Sequence, residues 1–172
     1  DKKIIKSDYG FIFMEILRKS ATGLATLKIE TQFFEDNVMF LTGDIDSESA
    51  LDICKQIAEL AKRKANKALL VVNSHGGSIQ SGMAIYDAIW TAPFPISTYC
   101  PSEAYSMGAV IVASGSGERI MAPHAKLMLH EPLVRGVRDS VSASSMKALS
   151  ESLEQTKEEI CEEVVSSAVE TV

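Results

Sequence analysis

A serine opening an apolar helix, two glycines closing a buried strand and a histidine ending another strand-like run are the parts of an acyl-transfer site. The serine is Ser106, in Tyr105-Ser106-Met107-Gly108-Ala109. The glycines are Gly76 and Gly77, in Asn73-Ser74-His75-Gly76-Gly77-Ser78, and the histidine is His130, after Lys126-Leu127-Met128-Leu129. Serine is a weak nucleophile until a base takes its proton and donors hold the oxyanion that follows. Small neighbours at Gly108 and Ala109 let a substrate approach Ser106. A helix start beyond it leaves free N–H groups and the positive end of a helix dipole near the hydroxyl. Each part also has a plain structural reading. Serine is a favoured N-cap, a tight strand-to-helix turn explains two glycines, and a lone histidine is more often structural than catalytic. His75, inside the glycine turn, is the rival base, and His124 after Pro123 reads as a turn residue.

The elements that must position these residues follow from periodicity. Phe11 to Ala21 reads as a short helix with Ile12, Ile16 and Leu17 on its apolar side. Val38 to Thr42 reads as a strand closed by Gly43, with Asp46 or Ser47 as N-cap of a helix carrying Leu51, Cys54, Ile57, Leu60 and Ala61. Ala68 to Val72 is a continuous apolar run, as in a strand buried on both faces. A helix with Met83, Ile85, Ala88 and Ile89 follows the glycines and ends at Pro93 and Pro95. Ile96 to Cys100 is a strand, then a short loop leads to a helix over Ser106 to Ala113, and Arg119 to Ala122 and Lys126 to Leu129 are two further strands. This alternation predicts an α/β fold with a mainly parallel sheet and crossover helices. From about Ser142, Met146, Leu149, Leu153, Ile160, Val164 and Ala168 mark one amphipathic helix, ~45 Å long at 1.5 Å per residue. It is longer than the domain's own core needs, so a projecting helix packed on another subunit is expected, against the alternative of folding back on its own domain.

The 172 residues, 46% of them hydrophobic, suit one α/β domain. A net charge of −6 and scattered basic residues, apart from Lys62-Arg63-Lys64, exclude a nucleic-acid footprint. The acidic residues from Glu151 to Glu163 read as a solvated helix face. Cys54, Cys100 and Cys161 form no metal-ligand pair, and their odd number points to a reducing compartment. No apolar run approaches a membrane span. The start, Asp1-Lys2-Lys3-Ile4-Ile5-Lys6, lacks a signal-peptide plan and an initiator methionine. The expectations are a cytoplasmic protein and a gene that begins upstream.

Five short motifs, in order, resemble the proteolytic subunits of the Clp protease, the ClpP family. They are Val38 to Gly43, Asn73 to Ser78, Ser81 to Asp87, Ser106 to Ala109 and Met128 to Pro132. The resemblance implies the ClpP/crotonase-like spiral of ββα units with a long projecting handle helix. It divides the single domain into an N-terminal axial segment over 1–31, a head over 32–132 and a handle region over 133–172. It implies a serine endopeptidase with Ser106 as nucleophile, His130 as general base and the backbone N–H groups of Gly77 and Met107 as the oxyanion hole. It further implies a homo-oligomer of two stacked heptameric rings, fed with unfolded proteins by a partner AAA+ Clp ATPase. The chain has no Walker motif, so ATP is expected only on that partner, with no cofactor or metal of its own.

The chain departs from the family in three places. The family's third triad member, an aspartate, lies beyond the handle helix and past Val172; Asp139 does not match it, so no acidic residue is assigned and the chain is expected to continue. His75 stands where the family usually has proline, and a neutral, exposed turn histidine is expected. Glu131 replaces a residue that is commonly glutamine and is placed to influence His130. The competing readings are a catalytically silent ring subunit, low or conditional activity from the missing aspartate, and a crotonase-type acyl-CoA enzyme by fold analogy. A Ser-Lys signal-peptide peptidase would need a lysine base and a membrane anchor.

Overall fold

The computed structural model describes residues 2–6, 12–20, 23–132 and 150–162. The chain opens with an antiparallel meander of β1 (Lys2–Lys6), β2 (Ile12–Ser20) and β3 (Gly23–Lys28). This corrects the helix expected over Phe11 to Ala21. Spacing of three apolar residues in so short a stretch does not separate the helical period from the strand period. An isolated helix of that length is also marginal, whereas β2 finds partners on both edges, Ile4 opposite Met14 and Leu17 opposite Thr26.

The remainder alternates. α1 (Ile29–Glu35) leads to β4 (Val38–Ile45), α2 (Ser47–Lys62), β5 (Ala68–Gly77), α3 (Ile79–Thr91), β6 (Ile96–Cys100), β7 (Glu103–Tyr105), α4 (Met107–Ala113), β8 (Arg119–Met121) and β9 (Lys126–Met128). A final helix, α5, spans residues 150–162. β5 is the axis of a six-stranded sheet ordered β8-β6-β5-β7-β9, with β4 also on β5. β4 runs parallel to β5 from Val38 opposite Leu69 to Ile45 opposite Gly77. On the other edge β6 pairs with Ala68–Val71 and β7 then takes over at Ser74. One strand thus serves two successive partners on one side, and the sheet curls. β7 lies in the stretch expected to be a loop. Its bridge to β5 is the single pair Ser74 and Ala104, and its pairing with β9 is entirely non-local, so no local pattern marks it.

The helices pack the curl. Asp46 caps α2 with a reciprocal capping box, accepting from Ser49 N at 2.9 Å while Asp46 N donates to Ser49 Oγ at 3.0 Å. The buried stripe of α2 is Ala50, Ile53, Ile57 and Leu60, and Leu51 faces solvent. α3 starts at the N-cap Ser78 and buries Ile85 and Ile89. α4 is buried over Met107 to Val112 and lies on β5 so closely that a Cβ at Gly108 would stand 2.6 Å from Ser74 O. Much of the expected handle helix lies outside the described residues. The described part is helical, and Ile160 packs against the chain's own core.

A single buried hydroxyl holds the site end of β5. Register shifts between Thr42 and Asp44, around Gly43 at φ +78°. Ser74 Oγ donates to Gly43 O at 2.6 Å and accepts from Gly76 N at 3.0 Å. Ser74→Ala leaves both backbone groups without that partner. The expected loss is about 1–3 kcal/mol of unfolding free energy, measured by urea denaturation, with an unchanged midpoint counting against this role.

Candidate active site

Ser106 sits on a sharp strand-to-helix elbow between β7 and α4, with φ +53° and ψ −126°. A non-glycine residue held there costs about 1–3 kcal/mol, and such strain gathers at functional sites. The same strained strand-to-helix elbow is what presents a nucleophilic serine in α/β hydrolases. The plain N-cap reading fails, because the Ser106 side chain makes no capping hydrogen bond. The backbone holds the elbow instead. Ser106 N donates to Met128 O at 2.7 Å, and Ser106 O accepts from Ala109 N at 3.0 Å and Val110 N at 3.2 Å.

Gly76 and Gly77 are the last two residues of β5 rather than a turn of their own, with φ +93° and +155°. A Cβ on Gly76 would lie 2.7 Å from Tyr105 O, 2.8 Å from Ser106 Cβ and 3.0 Å from Met107 N. A Cβ on Gly77 would overlap the Ile45 carbonyl oxygen. Glycine is required at both positions by backbone angle and by space. The strand end therefore abuts the serine elbow and the first amide of α4.

His130 lies two residues beyond β9, exposed, with its Nδ1 2.6 Å from Glu131 O. β9 pairs with β7 up to Tyr105 opposite Met128, so Ser106 and His130 follow the ends of adjacent strands. Among the described residues no hydrogen bond joins them, and apo catalytic contacts commonly tighten only with substrate. The acceptor at Nδ1 is a backbone carbonyl. Asp139 lies outside the described residues. His130 also lines a cavity of about 380 Å³ with Leu129, Glu131, Pro132, Lys157, Ile160 and Cys161.

The rival base turns away. Side chains along β5 alternate, so Ser74 and Gly76 face inward and His75 faces out. His75 is exposed, as expected, but it is not idle. Its Nε2 lies 2.8 Å from Glu103 Oε1, and its ring stacks on Tyr105 at 5.3 Å and 10°. The His75 and Tyr105 hydrogen bonds hold the Glu103 carboxyl below the usual range, and Glu103 raises Tyr105 in return. The cluster opens on a second cleft of about 140 Å³ with Gly43, Asp44 and Asn73. It straps β7 to β5 beside their one backbone bridge. Sequence reading missed Ser74, Glu103 and Tyr105, whose partners are 28 to 31 residues away or across a sheet. His124 is an exposed turn residue, as expected. Cys54, Cys100 and Cys161 are free thiols. Among the described residues no group of three or more His, Cys, Asp or Glu is disposed to hold a metal, and no helix is long and apolar enough to cross a membrane.

A curled parallel α/β sheet thus sets a serine elbow against a glycine strand end. The family model for Clp protease matches residues 21–172. The chain belongs to the Clp protease family. It is 38% identical over 135 residues to ATP-dependent Clp protease proteolytic subunit 1 of Mycobacterium tuberculosis H37Rv, covering 77% of this chain and 67% of that protein. It is 36% identical over 138 residues to proteolytic subunit 2 of Mycolicibacterium paratuberculosis, covering 78% and 69%. Proteolytic subunit 1 of Bifidobacterium longum is 30% identical over 153 residues, covering 85% and 66%.

Two outcomes test this geometry. Gly76→Ala drives a Cβ into the elbow and is expected to lower covalent labelling of Ser106 by a fluorophosphonate at least about 100-fold, the scale of losing one oxyanion donor; wild-type labelling rates would contradict it. His75→Ala removes the main hydrogen bond on Glu103, so the Glu103 titration should move up toward the ordinary value, read by carboxyl NMR. The sign follows from the depressed folded-state pKa. The Glu103 contribution is complete above about pH 4.3 and is lost as pH falls below it.

Proposed function

We propose that this chain is a serine endopeptidase subunit that hydrolyses unfolded polypeptides inside an ATPase-dependent, self-compartmentalised protease. The observation that carries the reading is the strained Ser106 elbow with its hydroxyl free of any cap bond. In this reading His130 takes the Ser106 proton as the hydroxyl attacks the scissile carbonyl. The backbone N–H groups of Gly77 and Met107 hold the oxyanion, and His130 then gives the proton to the leaving amine. Water, activated by the same base, clears the acyl-enzyme. A Cβ on Gly76 would stand 3.0 Å from Met107 N, so that amide lies beside the glycine strand end, which supports a donor at Met107. A carbonyl at His130 Nδ1 supports a hydrogen on that nitrogen, which leaves Nε2 to face the serine hydroxyl.

The partners proposed with this activity are an AAA+ Clp ATPase, which would use the ATP, and further copies of this chain in two stacked heptameric rings. The handle region over 133–172 would join the rings, 1–31 would lie at the axis, and the assembly would be cytoplasmic. No cofactor is proposed for the chain itself. A second reading, a silent ring subunit, draws on one observation: a carbonyl stands at Nδ1 where a triad would have a carboxylate.

Intact mass with and without a fluorophosphonate separates the two. The expected result is one adduct per chain, absent in Ser106→Ala, with peptide hydrolysis by that variant reduced by about 10⁴-fold or more. No adduct on an assembled oligomer would favour the silent subunit.

A further inference from the structure

We propose that His75 is a positioning residue: bonded to Glu103 and stacked on Tyr105, it clamps β7 to β5 and so holds the Ser106 elbow in its strained backbone conformation. The consequence for rate rests on the reading of Ser106 as the nucleophile.

β7 carries the elbow but has little backbone to hold it. It is three residues long, and its ladder to β5 is the single pair Ser74 and Ala104. Its other neighbour, β9, is the last strand on that side of the sheet and is exposed along its whole length, so it gives β7 no buried anchor. A φ of +53° at Ser106 persists only where the surroundings over-determine it. On the helix side the packing of α4 does this. On the strand side the constraint must reach Ser106 through Tyr105.

Side chains supply what the ladder lacks. The parallel register sets Asn73 beside Glu103 and His75 beside Tyr105, on the face opposite to Ser74 and Ala104. His75 Nε2 lies 2.8 Å from Glu103 Oε1, and its ring stacks on Tyr105 at 5.3 Å. The Tyr105 hydroxyl bonds the same carboxylate, so the three side chains close on one another. Glu103 N donates to Asn73 Oδ1 at 3.3 Å, a further tie between the strands. Tyr105 is the chain neighbour of Ser106, and its carbonyl oxygen would stand 2.7 Å from a Cβ on Gly76. The clamp therefore acts one peptide unit from the nucleophile.

The His75 hydrogen bond, and then that of Tyr105, hold the Glu103 carboxyl below its usual range, which keeps it a charged acceptor. Lys126 adds a weaker attraction to Glu103, and Asp44 lines the same cleft. The His75 and Glu103 side chains are 66% and 36% exposed, so the bond is screened and its effect on rate is modest.

The test compares the full chain as wild type, His75→Ala, His75→Gln, Glu103→Ala and His75→Ala/Glu103→Ala. One readout is acylation of Ser106 by a fluorophosphonate, resolved into its maximal rate constant and its half-saturating concentration. The other is hydrogen exchange of the Ser106 amide, which donates to Met128 O at 2.7 Å. In His75→Ala the maximal rate constant is expected to fall by about threefold to tenfold with the half-saturating concentration within about twofold. The Ser106 amide is expected to exchange faster by a similar factor of about threefold to tenfold, with the α2 amides unchanged. His75→Gln keeps a donor for Glu103 and is expected to recover most of the loss. Glu103→Ala is expected to cost less in the His75→Ala background than in wild type, because the two side chains act as one clamp. A strap that merely adds stability would leave the rate constant as it is. An unchanged maximal rate constant in His75→Ala would overturn the inference, and so would unchanged exchange of the Ser106 amide. No adduct on wild type would instead overturn the nucleophile reading, and the amide exchange would then decide by itself whether His75 holds the elbow.

Discussion

The absence of a Cβ at Gly76 is the constraint on which the site is built. The end of β5 and the start of α4 meet with Gly76 against Tyr105 O, Ser106 Cβ and Met107 N, and Gly108 against Ser74 O. These contacts are to backbone atoms and one Cβ, which no rotamer change can move aside. The start of α4 is therefore pressed onto the end of β5, and the Ser106 backbone beside them is left with a positive φ it would not choose. The strain is sustained because surrounding elements over-determine it. Met128 O takes the Ser106 amide, α4 takes its carbonyl, and Ser74 ties the glycine strand to the bulge in β4.

The pleat of β5 separates two chemistries that lie side by side in the chain. Ser74 and Gly76 face the elbow, while His75 between them faces a polar cleft with Glu103 and Tyr105. His75 is therefore a strap between strands, bonded to Glu103 and stacked on Tyr105. The ring that does follow the neighbouring strand end is His130, whose surroundings are set by a chain turn and by α5. The glycines, the serine and this histidine come from three segments, and the sheet order β5-β7-β9 is what assembles them.

Membership of the Clp protease family agrees with that construction, since the match runs through every segment that contributes to the site. The exposed apolar side chains of β8 and β9, Ile120, Met121, Leu127 and Met128, leave the outer strands of the isolated chain uncovered. Apolar surface of this kind is favourable only when covered.

Much of this was legible in the residues themselves. Local pattern is enough for Asp46 as a cap, for the period of α2 and α3, for the buried run that begins β5 and for Ser106 opening α4, because caps, helical stripes and apolar strands are written in neighbouring residues. The same short-range signals failed at residues 12–20, where strand partners on both sides outweighed an apparent helical spacing, and at β7, whose partners are distant. What the sequence determined by itself was which residues are chemically able to act: a serine, histidines and glycines in a recognisable order. Tertiary structure decided which histidine faces away from the serine, that Ser106 is strained rather than capping, and that Ser74 and Glu103 tie strand ends together. Those outcomes depend on strand pairing, pleat and close backbone approach between segments far apart in the chain, and such contacts leave no trace in the spacing of neighbouring residues.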